Sequence, residues 1–400
     1  MDHDVETRKI STSIDHYHNQ ARLVARIVHP FMSPFEALTF GIEYDGPGEI
    51  PSDDESEPDL QVTGEDSDAG ARVESRRAEL AHQRELLYQY QAIFECLPDL
   101  KTYVEFFDGD SIRSVGAYLQ FNMNAARGDD SNRMRESTIA YMQSHDHEGY
   151  SKAPSTLAKF QRGWRNWYTA RLLCPQRQLA AFDRDWEQFS AHVMSATGGI
   201  EVRGGDFPAF MYSQASARPT DNPDSDDPGT MLAGFLMSTF LVMCYKRLWT
   251  GPSSVALAYG RKLKTPGKPP LSQKYKIYRV SPRTLAYTVV LIRAELSSQG
   301  AFGETDVGAY NGSDLFNSIV EQLEDDTNAW GQDTLRWWNA RVFGNMTRTE
   351  PQVARELTTA DRLRAARRRN KDRAAAQSSQ APSASSSSAT APAAHAGTAD

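Results

Sequence analysis

The run from Asp227 to Pro252, DPGTMLAGFLMSTFLVMCYKRLWTGP, constrains the fold more than any other part of the chain, because it holds no charged residue between Gly229 and Tyr245. Leu232, Phe235, Leu236, Thr239, Val242 and Met243 repeat at the spacing of one helical face, while Phe240, Leu241 and Cys244 make the other faces apolar too. A helix that is apolar all round needs cover on every side. Asp227 fits an N-cap, Pro228 the first helical position, and Gly251-Pro252 a stop, so the pattern predicts a helix of about six turns. The uncharged part falls short of the ~18 or more apolar residues of a membrane span and includes Ser238 and Thr239. It therefore reads as the centre of a water-soluble helical domain, with Gly234 as a place of close helix approach.

Ser281-Pro282 repeats the cap-then-proline signal, and Leu285, Val289, Ile292 and Leu296 mark a second buried helix that should pack on the first. Other periodic runs predict helices over Ser13 to His29, Ala71 to Leu97, Leu100 to Phe107, Ser111 to Ala126 and Asn132 to Ser144. The last three are divided by DGD and RGDD turn signals. Further helices are expected at Leu179 to Val193, Ser254 to Leu263, Ser313 to Glu324 and Asp333 to Phe343, and Ile200 to Ser213 reads as a short strand or an extended loop. The fold class that follows is mainly α: a single irregular helical bundle domain around two buried central helices.

Composition sets the boundaries. Between Glu43 and Asp68 stand eleven acidic residues and no Lys or Arg, a segment too polar to bury a core of its own. From Arg355 to Arg373 eight basic residues face three acids, and after Ala374 the chain is nearly all Ala, Ser, Pro, Gln and Thr. The reading is an N-terminal segment with a short amphipathic helix (1–42), a disordered acidic linker (43–70), the helical domain (71–344) and a disordered tail (345–400). Cys96, Cys174 and Cys244 are isolated, odd in number and set among apolar residues, which predicts reduced, buried thiols and an intracellular protein. The start MDHDVETRKI is acidic and has no apolar h-region, which argues against secretion and against a mitochondrial transit peptide.

Motifs for catalysis and cofactors are missing. Neither G-x-S-x-G nor GxxxxGK[ST] occurs, the glycine pairs at Gly198-Gly199 and Gly204-Gly205 do not form a dinucleotide fingerprint, and no cysteine has a neighbouring His. No cofactor is expected. His145-Asp146-His147-Glu148 is the one close set of metal-type ligands, but without a third and fourth partner it reads as a solvated loop. The acidic pairs Asp183/Asp185 and Asp325/Asp326 read as solubilising groups on helix faces.

Two stretches point to binding. In KFQRGWRNWYTAR, Lys159, Arg162 and Arg165 interleave with Trp164 and Trp167, a composition that serves phosphate contact and base stacking and equally the covering of a core. In RLRAARRRNKDR, Arg362, Arg364, Arg367, Arg368, Arg369, Lys371 and Arg373 make a candidate nuclear-import run that also suits nucleic-acid phosphate.

Four stretches carry a family resemblance: Arg171 to Pro175 (RLLCP), Pro208 to Tyr212 (PAFMY), Gly234-Phe235-Leu236 leading to Thr250 to Ser254 (TGPSS), and Ala286-Tyr287 through Leu296-Ser297-Ser298. In order and spacing they resemble an uncharacterised domain family of basidiomycete fungi over roughly residues 97–325. The resemblance implies no activity, ligand or catalytic residue. The combined reading is a non-enzymatic binding protein, nuclear and nucleic-acid- or chromatin-associated, with unidentified protein partners and no membrane. Two alternatives stand beside it: an enzyme of unrecognised type using Trp164, Trp167, His145 and His147, and an assembly protein acting through an oligomer interface.

Overall fold

The structure is a computed structural model that describes residues 16–44, 67–143, 148–195, 199–213, 232–258, 269–307, 309–325 and 329–344. The bulk of the acidic segment, the His145-Asp146-His147 cluster and the basic run from Arg362 to Arg373 lie outside the described residues. Among the described residues the regular structure is helical, and paired extended backbone is limited to two isolated bridges, Pro175 with Pro208 and Thr305 with Asn311. The helices are α1 (16–27), α2 (Pro34–Glu43), α3 (Ser67–Cys96), α4 (Gly109–Met142), α5 (Trp167–Leu173), α6 (Leu179–Arg184) and α7 (Trp186–Val193). They continue with α8 (Thr239–Trp249), α9 (Pro252–Ala258), α10 (Leu271–Lys274), α11 (Pro282–Leu296), α12 (Gly312–Glu324) and α13 (Trp330–Val342). None of them is long and apolar enough to cross a membrane.

The two expected central helices are α8 and α11. Phe240, Leu241, Cys244, Tyr245, Leu248 and Trp249 of α8 are buried, and on α11 only Pro282 and Ala294 escape full burial. Such side chains each contribute about 1.5–3 kcal/mol when fully buried. Two of them carry polar atoms inward, and α11 supplies the acceptors: Tyr245 Oη donates to Thr284 Oγ1 at 3.1 Å and Trp249 Nε1 to Thr288 Oγ1 at 2.9 Å. α11 starts at a capping box, in which the Ser281 hydroxyl accepts from Thr284 N and the Thr284 hydroxyl accepts from Ser281 N.

The first central helix is shorter than its apolar pattern. Residues 233–236 form a turn with left-handed backbone at Gly234 (φ 68°) and Leu236 (φ 58°), and the helix begins only after Ser238, whose hydroxyl caps Leu241 N. The carbonyls freed by the turn find partners elsewhere, Leu236 O accepting from Trp338 Nε1 at 2.9 Å and Gly234 O from Ser213 N at 2.9 Å. The turn also brings Phe235 against Trp330, stacked at 5.5 Å, and against Phe207 and Tyr212. The expected start at Asp227 lies outside the described residues.

Other local expectations change in the same way. α4 runs unbroken through the RGDD sequence that reads as a turn, the helix expected over Leu179 to Val193 is split at Asp185, which caps Gln188 N at 3.0 Å, and of the two alternatives for Ile200 to Ser213 the loop is the one formed, with a 3-10 turn at Ala209–Met211. Pro98–Phe106 is 3-10 rather than α.

Two apolar cores result. The larger surrounds α8 and α11, drawing on Met134, Ile139 and Met142 of α4, on α5 to α7 and on Leu315, Ile319 and Trp338. The smaller joins Val24 and Ala25 of α1, Leu38 of α2, Ile93 and Leu97 at the end of α3, and Leu119, Met123 and Ala126 of α4. α4, about 50 Å long by its 34 residues, therefore serves both, with its first half in one core and its second in the other.

Candidate anion-binding cleft

Where α4 passes from one core to the other, its buried side chains are polar. Asp130 and Ser131 are both buried. Asp130 accepts from Arg26 Nε at 2.6 Å and Nη2 at 3.0 Å, and from Tyr287 Oη at 2.9 Å, tying α1 and α11 to α4. Burial alone would lower the Arg26 pKa, but the Asp130 charge and hydrogen bonds outweigh it and hold the guanidinium above its ordinary value. Ser131 donates to Glu295 Oε1, and Glu295, only 1% exposed, also accepts from cations on the 159–162 segment. Arg162 Nη1 donates to Glu295 O at 2.8 Å and lies 3.5 Å from its Oε2, and Lys159 Nζ is 3.5 Å from the same oxygen. The Lys159 ammonium also bonds to Ala294 O.

On the outer side of this pair α4, Gly300, Ala301 and Phe302 enclose a cavity of about 300 Å³, with Arg127, Gly128, Ser131, Asn132 and Arg135 on its wall. Lys159 and Arg162 thus share one carboxylate, Glu295, while Arg127 and Arg135 line the cavity with Ser131, the residue that donates to it. Arg127 lies over the rings of Phe31 and Phe302, 5.3 and 5.8 Å from their centroids, and donates to Asn124. Neither Arg127 nor Arg135 is ion-paired among the described residues, and each has a buried Nε–H without an acceptor.

Burial leads the pKa shifts of the cluster, and neighbouring cations add to those of Lys159 and Arg162. Burial pushes the Lys159 pKa down to about 8, Glu295 opposing and Arg162 and Arg135 lowering it further. Arg162 is lowered by burial and by Arg135, against Glu295. Burial lowers Arg127 as well, with Tyr287 and Glu304 opposing. An oxyanion brought to the cavity would relieve this repulsion and supply acceptors that the guanidinium groups lack. No group of three or more His, Cys, Asp or Glu is placed to hold a metal ion among the described residues. Cys96, Cys174 and Cys244 are free and buried, and burial raises all three thiol pKa values, Cys96 to about 12.

The five residues singled out in KFQRGWRNWYTAR part company. Lys159 and Arg162 join the cleft. Trp164 is buried against Phe189 and so closed to stacking, and Trp167 is half-buried against Tyr150 and Tyr168. Arg165 is exposed and donates to Phe160 O at 3.0 Å, and the exposed ring next to it is that of Phe160 itself, 66% open. Gly163, at φ 68°, sets this alternation, and a Cβ there would come within 3.1 Å of Ser298 N. Sequence reasoning missed Phe160, Arg127, Arg135, Ser131 and Glu295. The signal for the two arginines was their eight-residue spacing, which shares a helix face only if α4 is continuous through Gly128.

The model of a family of unknown function (DUF6698) matches residues 122–343, more than half of the chain. The match takes in the second half of α4, the 159–162 segment and α11, and so every residue that lines the cavity, while Arg26 and Phe31 lie before it. No curated protein and no solved structure matches. The chain belongs to the family of unknown function DUF6698.

Proposed function

We propose that this chain is a non-enzymatic binding protein whose cleft beside α4 receives the phosphates of a single-stranded nucleic acid. The observation that carries the reading is the pair Arg127 and Arg135, two guanidinium groups at one cavity, each with a buried Nε–H that has no acceptor among the described residues. Exposed Arg165 extends the charge outward, and the open ring of Phe160 offers a face on which a base can stack. The basic run from Arg362 to Arg373 adds nuclear import to the reading, and a reporter fused to residues 345–400 that stays in the cytoplasm argues against that part.

The test is fluorescence anisotropy of a labelled single-stranded oligonucleotide with the full chain at low and raised salt. Binding should weaken steeply as salt rises. Arg135→Glu should weaken it at least about tenfold, and Phe160→Ala should remove about 1–3 kcal/mol, the usual contribution of one stacked base. No binding at low salt, or affinity indifferent to Arg135→Glu, overturns the proposal.

A further inference from the structure

The cavity beside α4 is small and closed at one end, which decides what part of a strand it can hold. Its volume of about 300 Å³ lies at the bottom of the ~300–1,000 Å³ range of ligand sites, room for a phosphate group rather than a length of chain. At the Arg127 end the way is blocked by rings. Phe31 and Phe302 meet edge to face at 5.6 Å beneath the Arg127 guanidinium, and Phe302, which lines the cavity, is only 8% exposed. Arg135, eight residues and so about 12 Å further along α4, stands on the side of Lys159 and Arg162, whose pKa values it lowers.

The wall opposite α4 is held in place at both ends. Ser297 N donates to Arg293 O at 3.1 Å, and Asp306 accepts from Arg293, whose guanidinium lies 3.7 Å from the centre of the Tyr310 ring. Between these anchors run Gly300, Ala301 and Phe302, so the cavity is preformed and does not need to open around a ligand. The α4 side supplies donors. Arg127 and Arg135 each have a buried Nε–H without an acceptor among the described residues, and Asn132 adds an exposed amide to the same wall.

We infer that the cavity reads the end of a strand: it takes a terminal phosphate monoester, and the chain leaves past Arg135 towards the 159–165 segment. An internal phosphodiester must continue on both sides, and the rings at the Arg127 end leave it one exit. A monoester needs only one. It also carries a charge of roughly −1.5 to −2 at neutral pH and three acceptor oxygens, more of both than a diester brings to two guanidinium groups. The inference rests on the nucleic-acid reading above and narrows it to strands with a phosphorylated end.

The test uses three forms of one internally labelled single-stranded oligonucleotide, with a 5′-phosphate, with a 3′-phosphate, or with hydroxyls at both ends, titrated with the full chain by fluorescence anisotropy. At least one phosphorylated form should bind about tenfold or more tighter than the hydroxyl form, and which one does so gives the polarity of the strand. Arg127→Gln should bring the phosphorylated and hydroxyl affinities within about threefold of each other. Asn132→Asp, at an exposed position, sets a like charge against the phosphate and should shrink the preference in the same way. Circular dichroism checks that each variant folds, and Asn132→Asp keeps the test open if Arg127→Gln, which loses its packing on two rings, does not. Equal affinity for the three forms, or a preference unmoved in a folded variant, overturns the inference and leaves the nucleic-acid reading standing. Absence of binding by all three removes both.

Discussion

At the scale of single residues, burial decides which groups ionise. His29 is buried with its ring 4.5 Å from that of Phe316, and its Nδ1 accepts from Phe31 N at 3.1 Å, which fixes a neutral tautomer with the proton on Nε2. Burial lowers its pKa from 6.5 to about 4, Glu85 opposing and Arg283 and Arg127 adding to the shift. The unfolded chain therefore takes up this proton near pH 6.5 and the folded chain only near pH 4. Between those values the unfolded state binds more protons, so this contribution to stability is complete above pH 6.5 and is lost as pH falls towards 4. At about 1.4 kcal/mol per pKa unit the loss is on the order of 3 kcal/mol. Urea unfolding of the protein and of His29→Gln across that window should show the slope in the first and a flatter profile in the second. Equal slopes would assign the acid sensitivity to other groups. Asp130 is buried too, and its carboxylate oxygens accept from Arg26 and Tyr287.

At the scale of elements, α4 shows why a local turn signal fails. Arg127-Gly128-Asp129-Asp130 is polar and contains a glycine, yet each charged side chain has work outside the helix: Arg127 over two rings, Asp129 with Arg22, Asp130 with Arg26. Tertiary pairs hold the helix through a sequence of poor intrinsic propensity. Gly128 meets nothing within 4 Å where a Cβ would stand. Gly128→Ala should therefore stabilise the protein by about 0.5–1 kcal/mol, read as a raised urea midpoint with unchanged slope. A loss of stability would mean that the helix is strained at this point. α8 teaches the converse lesson. Its apolar run promised six turns, but the fold uses the first part as a turn because Trp338 and Trp330 need Leu236 O and the Phe235 ring.

At the scale of the molecule, the family match begins at residue 122, inside α4, while the smaller core takes its partners from residues 21–38 and 86–97. A chain cut to residues 122–343 would leave Met123 and Ala126 uncovered and Asp130 without Arg26, a buried carboxylate stripped of its cation. It should unfold without a cooperative thermal transition and aggregate, whereas residues 16–344 should melt in one step. Calorimetry of the two decides this, and a sharp transition in the shorter chain would show that the two cores are energetically separate.

The sequence by itself determined the helical class, the two all-round apolar helices that anchor the larger core, the buried free thiols and the family, because apolar period and capping residues act over a few turns of one chain. The tertiary structure alone decided where α8 begins, that α4 is continuous, that Trp164 is buried while Phe160 is open, and that Lys159 and Arg162 meet Arg135 and Glu295. Those outcomes depend on partners tens to hundreds of residues away, and a carbonyl, a ring or a charge takes its role from whichever partner the fold brings within a few ångströms.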